Sequence, residues 1–111
     1  MRIVFAAPLV LLAACASPFG ASDRRYVGVY SEGLETMTFR ADERDEEWSV
    51  KGAFYALQAA APPRADPTDG FSVCATVVGR LSPPGRYGHL GLFRRELEVV
   101  NVVEARPPPC G

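Results

Sequence analysis

Two long runs of β-branched and apolar residues in the second half of the chain do most to fix what it can fold into. Phe71 to Leu81 holds Val73, Thr76, Val77 and Val78, and Leu97 to Val103 holds four valines between Glu96 and Glu104. Branching at Cβ restricts χ1 and suits a pleated, packed surface, so both runs predict central strands. Between them, Ser82 to Phe93 carries Pro83, Pro84, Gly85, Gly88 and Gly91. Its prolines and glycines forbid a regular element over the first half of that segment.

The first half of the chain supplies shorter elements. Tyr26-Val27-Gly28-Val29-Tyr30 and Glu35-Thr36-Met37-Thr38-Phe39 read as a hairpin about Ser31-Glu32-Gly33. Met37 and Phe39 fall on one face and Thr36 and Thr38 on the other, the period-2 pattern of a half-buried strand. The run Asp42 to Glu47 is almost wholly charged and reads as a solvated turn. A third strand follows, with Trp48 and Val50 alternating with Ser49 and Lys51, and Trp48 as its core or rim anchor. Ala53 to Ala61 is rich in helix formers, with Phe54 and Leu57 three apart, which predicts one or two helical turns. Pro62 and Pro63 end it, and a loop runs on through Asp69-Gly70.

The predicted class is all-β with one short helix, in the order βββ-α-ββ over residues 26 to 106. This order is similar to the oligosaccharide/oligonucleotide-binding (OB) fold. The resemblance implies a small five-stranded antiparallel barrel with its helix between the third and fourth strands. A small β-sandwich or an up-and-down barrel yields the same order of elements, and at this stage these alternatives stay open.

The N-terminus carries an address. A lone Arg2, an apolar run from Ile3 to Leu12 and the tetrapeptide Leu12-Ala13-Ala14-Cys15 follow in order. The run is too short to span a bilayer, and small residues precede the cysteine. This resembles a bacterial lipoprotein signal peptide ending in a lipobox. The resemblance implies removal of residues 1–14, acyl chains on Cys15, a tether over 15–25 and a folded domain over 26–111. With Ala16 after the cysteine, where Asp would retain the protein at the inner membrane, it also implies the periplasmic face of the outer membrane. Cleavage at that point would shorten the 111-residue chain to 97 and remove only Arg2 from its 12 basic residues, leaving 11 against 13 acidic ones. No basic stripe remains to track phosphates, so nucleic acid is not an expected partner.

Cysteine usage follows from the address. With Cys15 given to lipid, Cys74 and Cys110 are the remaining thiols, and an oxidising compartment pairs them. Closing a loop of roughly 35 residues stabilises by about 4 kcal/mol on the chain-entropy estimate, comparable to the whole stability of a small domain. The competing readings are two unpaired thiols or a metal pair, and one histidine in the chain makes a poor zinc site.

No catalytic constellation stands out. His89 is the only histidine, and its neighbourhood offers neither a Ser or Cys nucleophile at motif spacing nor an acidic partner. Gly85-x-x-Gly88-x-x-Gly91 matches no phosphate-binding pattern, and Asp42 to Glu47 lacks the ladder of a calcium loop. No cofactor or metal is expected. The 82–95 segment does gather Arg86, Tyr87, His89, Phe93 and Arg94, and aromatic and arginine side chains are those enriched at binding hot spots. It is the expected contact surface, against the alternative that Tyr87 merely plugs a barrel end. The expected function is therefore a monomeric, membrane-anchored binding or envelope-associated module. One alternative is a periplasmic inhibitor of a lysozyme or protease that inserts residues 82–95; another is an envelope component that meets its partner through a sheet edge.

Overall fold

The computed structural model describes residues 23–66 and 68–111. The expected signal peptide over 1–14, Cys15 and most of the expected tether over 15–25 lie outside the described residues. Five strands and one short helix form in the predicted order: β1 (Arg24–Gly33), β2 (Thr36–Ala41), β3 (Glu47–Lys51), α1 (Phe54–Gln58), β4 (Phe71–Leu81) and β5 (Glu96–Arg106). β1 starts two residues before the predicted Tyr26.

Pairing runs β1-β2-β3-β5-β4 and returns to β1, closing the sheet. Four of the junctions are antiparallel, whereas β3 and β5 run parallel through Ser49–Glu96, Val50–Leu97 and Lys51–Glu98. The sheet is therefore mixed, which corrects the wholly antiparallel expectation. The reason is topological: a strand that follows a helical connection and a further hairpin arrives beside β3 from the same end.

The hairpin turn is also displaced. Gly33 pairs with Thr36, so Leu34 and Glu35 form a two-residue loop in place of the predicted Ser31-Glu32-Gly33. Glu35 takes a positive φ of 64° there, with no glycine or asparagine to announce it. Gly28 faces Ala41 on one side and Ala75 on the other. A Cβ at Gly28 would run into the Arg40 carbonyl, so only glycine allows β1 and β2 to approach this closely.

Closure places one face of every strand inside. Tyr30, Phe39, Trp48, Val73, Val77 and Leu97 are fully buried, and Leu57 of α1 joins them while Tyr55 on the same helix stays exposed. Trp48 stacks on Phe39 at 6.4 Å and meets Tyr26 edge-on at 5.3 Å, which makes it a core anchor. A disulfide joins Cys74 in β4 to Cys110 in the tail, with Cα atoms 5.4 Å apart and a sequence separation of 36.

β5 explains how four valines fit one strand. Val100 and Val103 have no partner in β4, because the register slips between Thr76 and Val77 and again between Val78 and Gly79. Two bulges thus turn a repeat of two into one of three, so that Val99 is buried and Val102 and Ala105 pack against the core. The two bulged valines are each 44% exposed.

Candidate functional site

The segment between β4 and β5 is organised by its own hydrogen bonds. Ser82 N–H donates to Glu96 O (2.9 Å), Gly85 N–H to Arg94 O (2.8 Å), and Tyr87 and Phe93 exchange N–H···O bonds of 2.9 and 3.1 Å. The tip closes through Gly91 N–H to Gly88 O and Leu92 N–H to His89 O, a 3₁₀ turn over His89–Gly91. Ser82 to Arg95 is thus a two-stranded ribbon with irregular strands. Its prolines remove donors only where no pairing bond is made.

The ribbon lies over the outer face of the sheet. Arg95 O accepts from Ser49 N–H of β3 at 3.1 Å. Gly88 sits directly on Ser49, where an added Cβ would fall 2.6 Å from Ser49 Oγ and 2.9 Å from Phe93 Cδ2. This cover buries the outward-facing Ser49, which alternation along its strand assigns to solvent, and its β2 partner Thr38 is buried beside it. At the ribbon base Glu46 does several jobs. It accepts the Trp48 indole N–H at 2.9 Å and lies 3.8 Å from Arg94 and 4.0 Å from Arg95. The acidic turn is therefore not wholly solvated: Asp42 to Asp45 are exposed, and Glu46 is a half-buried acceptor between core and ribbon.

The predicted contact residues take different places. Arg86 is exposed. Tyr87 is half-buried, with its ring against Gly85 and its hydroxyl donating to Pro83 O at 2.9 Å. It packs within the ribbon. His89, at the tip, lies 3.8 Å from Glu35 in the β1–β2 turn. Arg94 is exposed beside Glu46, and Phe93 is half-buried as one wall of a groove. Sequence reasoning missed three leucines at this end of the molecule: Leu34 is 81% exposed, Leu90 78% and Leu92 71%. The available signal was their position in turns too tight to fold a side chain inward.

The groove beside Phe93 is open and has a volume of about 520 Å³. Residues lining it include Ser31, Glu32, Thr36, Thr38, Glu47, Phe71 and Ser72. Ser31 and Ser72 hydroxyls are 2.8 Å apart, and Thr38 donates to Glu47 at 3.1 Å. Glu32 accepts from the Tyr30 hydroxyl at 2.8 Å and from Gln58 at 2.8 and 3.0 Å. Burial, reinforced by the Glu32 carboxylate, pushes the Tyr30 phenol well above the ordinary tyrosine range.

Among the described residues no three His, Cys, Asp or Glu side chains gather as a metal site. No family model, curated protein or solved structure matches the chain.

Proposed function

We propose that the chain is an exported lipoprotein, cut before Cys15, acylated there and held at the periplasmic face of the outer membrane. Its folded part is an OB-like barrel that binds an envelope protein without catalysing a reaction. The parallel β3–β5 pair, the order β1-β2-β3-β5-β4 and the helix between β3 and β4 support the OB-like reading. In that fold the β2–β3 face and the β1–β2 and β4–β5 connections form the usual contact surface. Here those connections are the Leu34-Glu35 turn and the ribbon, adjacent to each other through Glu35 and His89. The analogy is one of fold, and the function rests on the site.

The observation that carries the reading is the ribbon itself. It is held by its own backbone bonds and docked on β3, yet keeps Arg86, Leu90, Leu92 and Arg94 exposed. A contact surface fixed before binding loses little entropy on association. The tether enters at Arg24 and the leucine-bearing turn leaves β1 after Gly33, 10 residues away, or roughly 30 Å at strand rise. The contact end thus lies at the far end of β1 from the residue where the proposed tether joins it. An inhibitor of a lysozyme or protease is a second form of the same reading, favoured by the narrow tip with two exposed leucines.

A photo-crosslinking residue at Leu90, in the protein expressed in its own envelope, tests this. One discrete adduct is expected from Leu90 and none from Tyr55 on the helix. Arg86→Ala and Arg94→Ala should each reduce its yield, by about fivefold or more if they are hot spots. Equal adducts from both positions, or sensitivity to Glu43→Lys instead, would overturn the assignment.

A further inference from the structure

We propose that the outer face of β1, β4 and β5 lies on the lipid surface that holds the acyl chains of Cys15, with Arg24 and Arg25 against anionic headgroups. This rests on the lipoprotein reading above and adds how the folded part sits on its membrane. Alternation turns Arg25 and Val27 of β1 and Val78 and Arg80 of β4 outward, opposite the buried Gly28 and Val77. Val78 pairs with Arg25 on one side and with Asn101 of β5 on the other. The two bulges of β5 add the exposed Val100 and Val103 to Val27 on this face. Valines gathered on three adjacent strands form an apolar patch, and such patches mark protein or membrane contacts.

Position and charge choose the membrane. The Asp23 carboxylate lies at the corner of this face, bonded to Arg80 Nε at 2.6 Å. Cys15 precedes Asp23 by 8 residues, a span of at most about 28 Å, so the patch stays close to any lipid that holds Cys15. The acids of the face each have an arginine beside them: Asp23 and Glu98 flank Arg80, and Glu104 lies 3.9 Å from Arg106. Arg24 and Arg25 are exposed and enter no ion pair among the described residues. Anionic headgroups attract such cations, whereas a second copy of the chain brings more unpaired arginines and no spare acid. The topology agrees with this placement. β2 and β3 are the strands that β4 does not pair with, and the ribbon docks on β3. With the valines against lipid, the ribbon therefore looks away from the membrane.

The test is NMR of the acylated protein in nanodiscs of phosphatidylcholine, with and without phosphatidylglycerol, doped with a gadolinium-chelating lipid that broadens nearby amides. Broadening is expected at Val27, Val78, Val100 and Val103, and not at Ser49, Leu90 or Phe93. Omitting the anionic lipid, and Arg25→Gln in the protein, should each lower the population in this orientation, relative to all others, by about fivefold. Val27→Asp combined with Val100→Asp should abolish the pattern, and unchanged amide shifts of the buried residues verify that the fold persists. Equal broadening around the sheet, broadening centred on the ribbon, or a dimer that shields the valines from the chelate would overturn the proposal. An acylated chain that gives any of these refutes only the face and leaves the anchor standing. A chain without acyl groups removes the lipoprotein reading and this proposal with it.

Discussion

Gly88→Ala probes the docking of the ribbon most sharply. Gly88 has φ 72° and ψ −159°, a region that L-residues other than glycine essentially do not occupy, at a cost of about 1–3 kcal/mol. Its new methyl would also meet Ser49 Oγ at 2.6 Å and Phe93 Cδ2 at 2.9 Å, so the ribbon must lift from β3. A destabilisation of about 2–3 kcal/mol is expected, which for a domain this size lowers Tm by roughly 10–20 °C. Gly91→Ala is the matched control. Gly91 also has a positive φ, of 64°, but its Cβ would meet nothing closer than Arg86 Cβ at 3.5 Å. That substitution carries the backbone penalty alone, about 1 kcal/mol. Urea unfolding of the two variants, with amide shifts of Ser49 and Phe93 as a local readout, separates the terms. If Gly88→Ala costs no more than Gly91→Ala and leaves those shifts in place, the ribbon does not rest on β3 as described.

Three further perturbations test the framework. Cys110→Ser should cost about 4 kcal/mol and lower Tm by on the order of 20 °C, and thiol labelling of the unfolded, unreduced wild type should find neither Cys74 nor Cys110. Glu46→Ala strands the buried Trp48 indole N–H and should cost about 1–3 kcal/mol in denaturant unfolding followed by tryptophan fluorescence, with Glu46→Gln costing less; a value under about 0.5 would dismiss its bridging role. Tyr30 has its pKa raised by folding, so its contribution is complete below the unfolded value of about 10 and is lost as pH rises beyond it. Stability should therefore decline in alkali more steeply in the wild type than in Tyr30→Phe, and identical profiles would contradict the buried phenol's role.

The order of elements was legible because each carries a strong local signal: the period-2 alternation of Met37 and Phe39, the helix formers before Pro62, the valine runs. What escaped was set by non-local geometry. The parallel β3–β5 pair depends on how the sheet closes, which no window of sequence records. The valines of β5 alternate only after two bulges are inserted, so a run that reads as uniformly central exposes Val100 and Val103. Ser49 looks like a solvent-facing residue and is buried because the ribbon, distant in sequence, covers it, and its β2 partner Thr38 is buried beside it. Glu46 was submerged in a charged run, and only its distance to the indole distinguishes it from its neighbours. At the site, aromatic and arginine enrichment found the right segment. It did not show that Tyr87 turns inward to Pro83, nor that Leu90 and Leu92 turn outward.

Export and lipidation underlie the proposed location, the oxidising compartment and the orientation of the contact end. Intact mass spectrometry of the membrane-extracted protein, paired with fractionation of Cys15→Ser, addresses them together. The expected species begins at Cys15, carries acyl groups and contains one intramolecular disulfide, while Cys15→Ser remains an uncleaved precursor or leaves the membrane. An unmodified chain that still begins at Met1, or a Cys15→Ser variant that is acylated and anchored like the wild type, would contradict the lipoprotein reading.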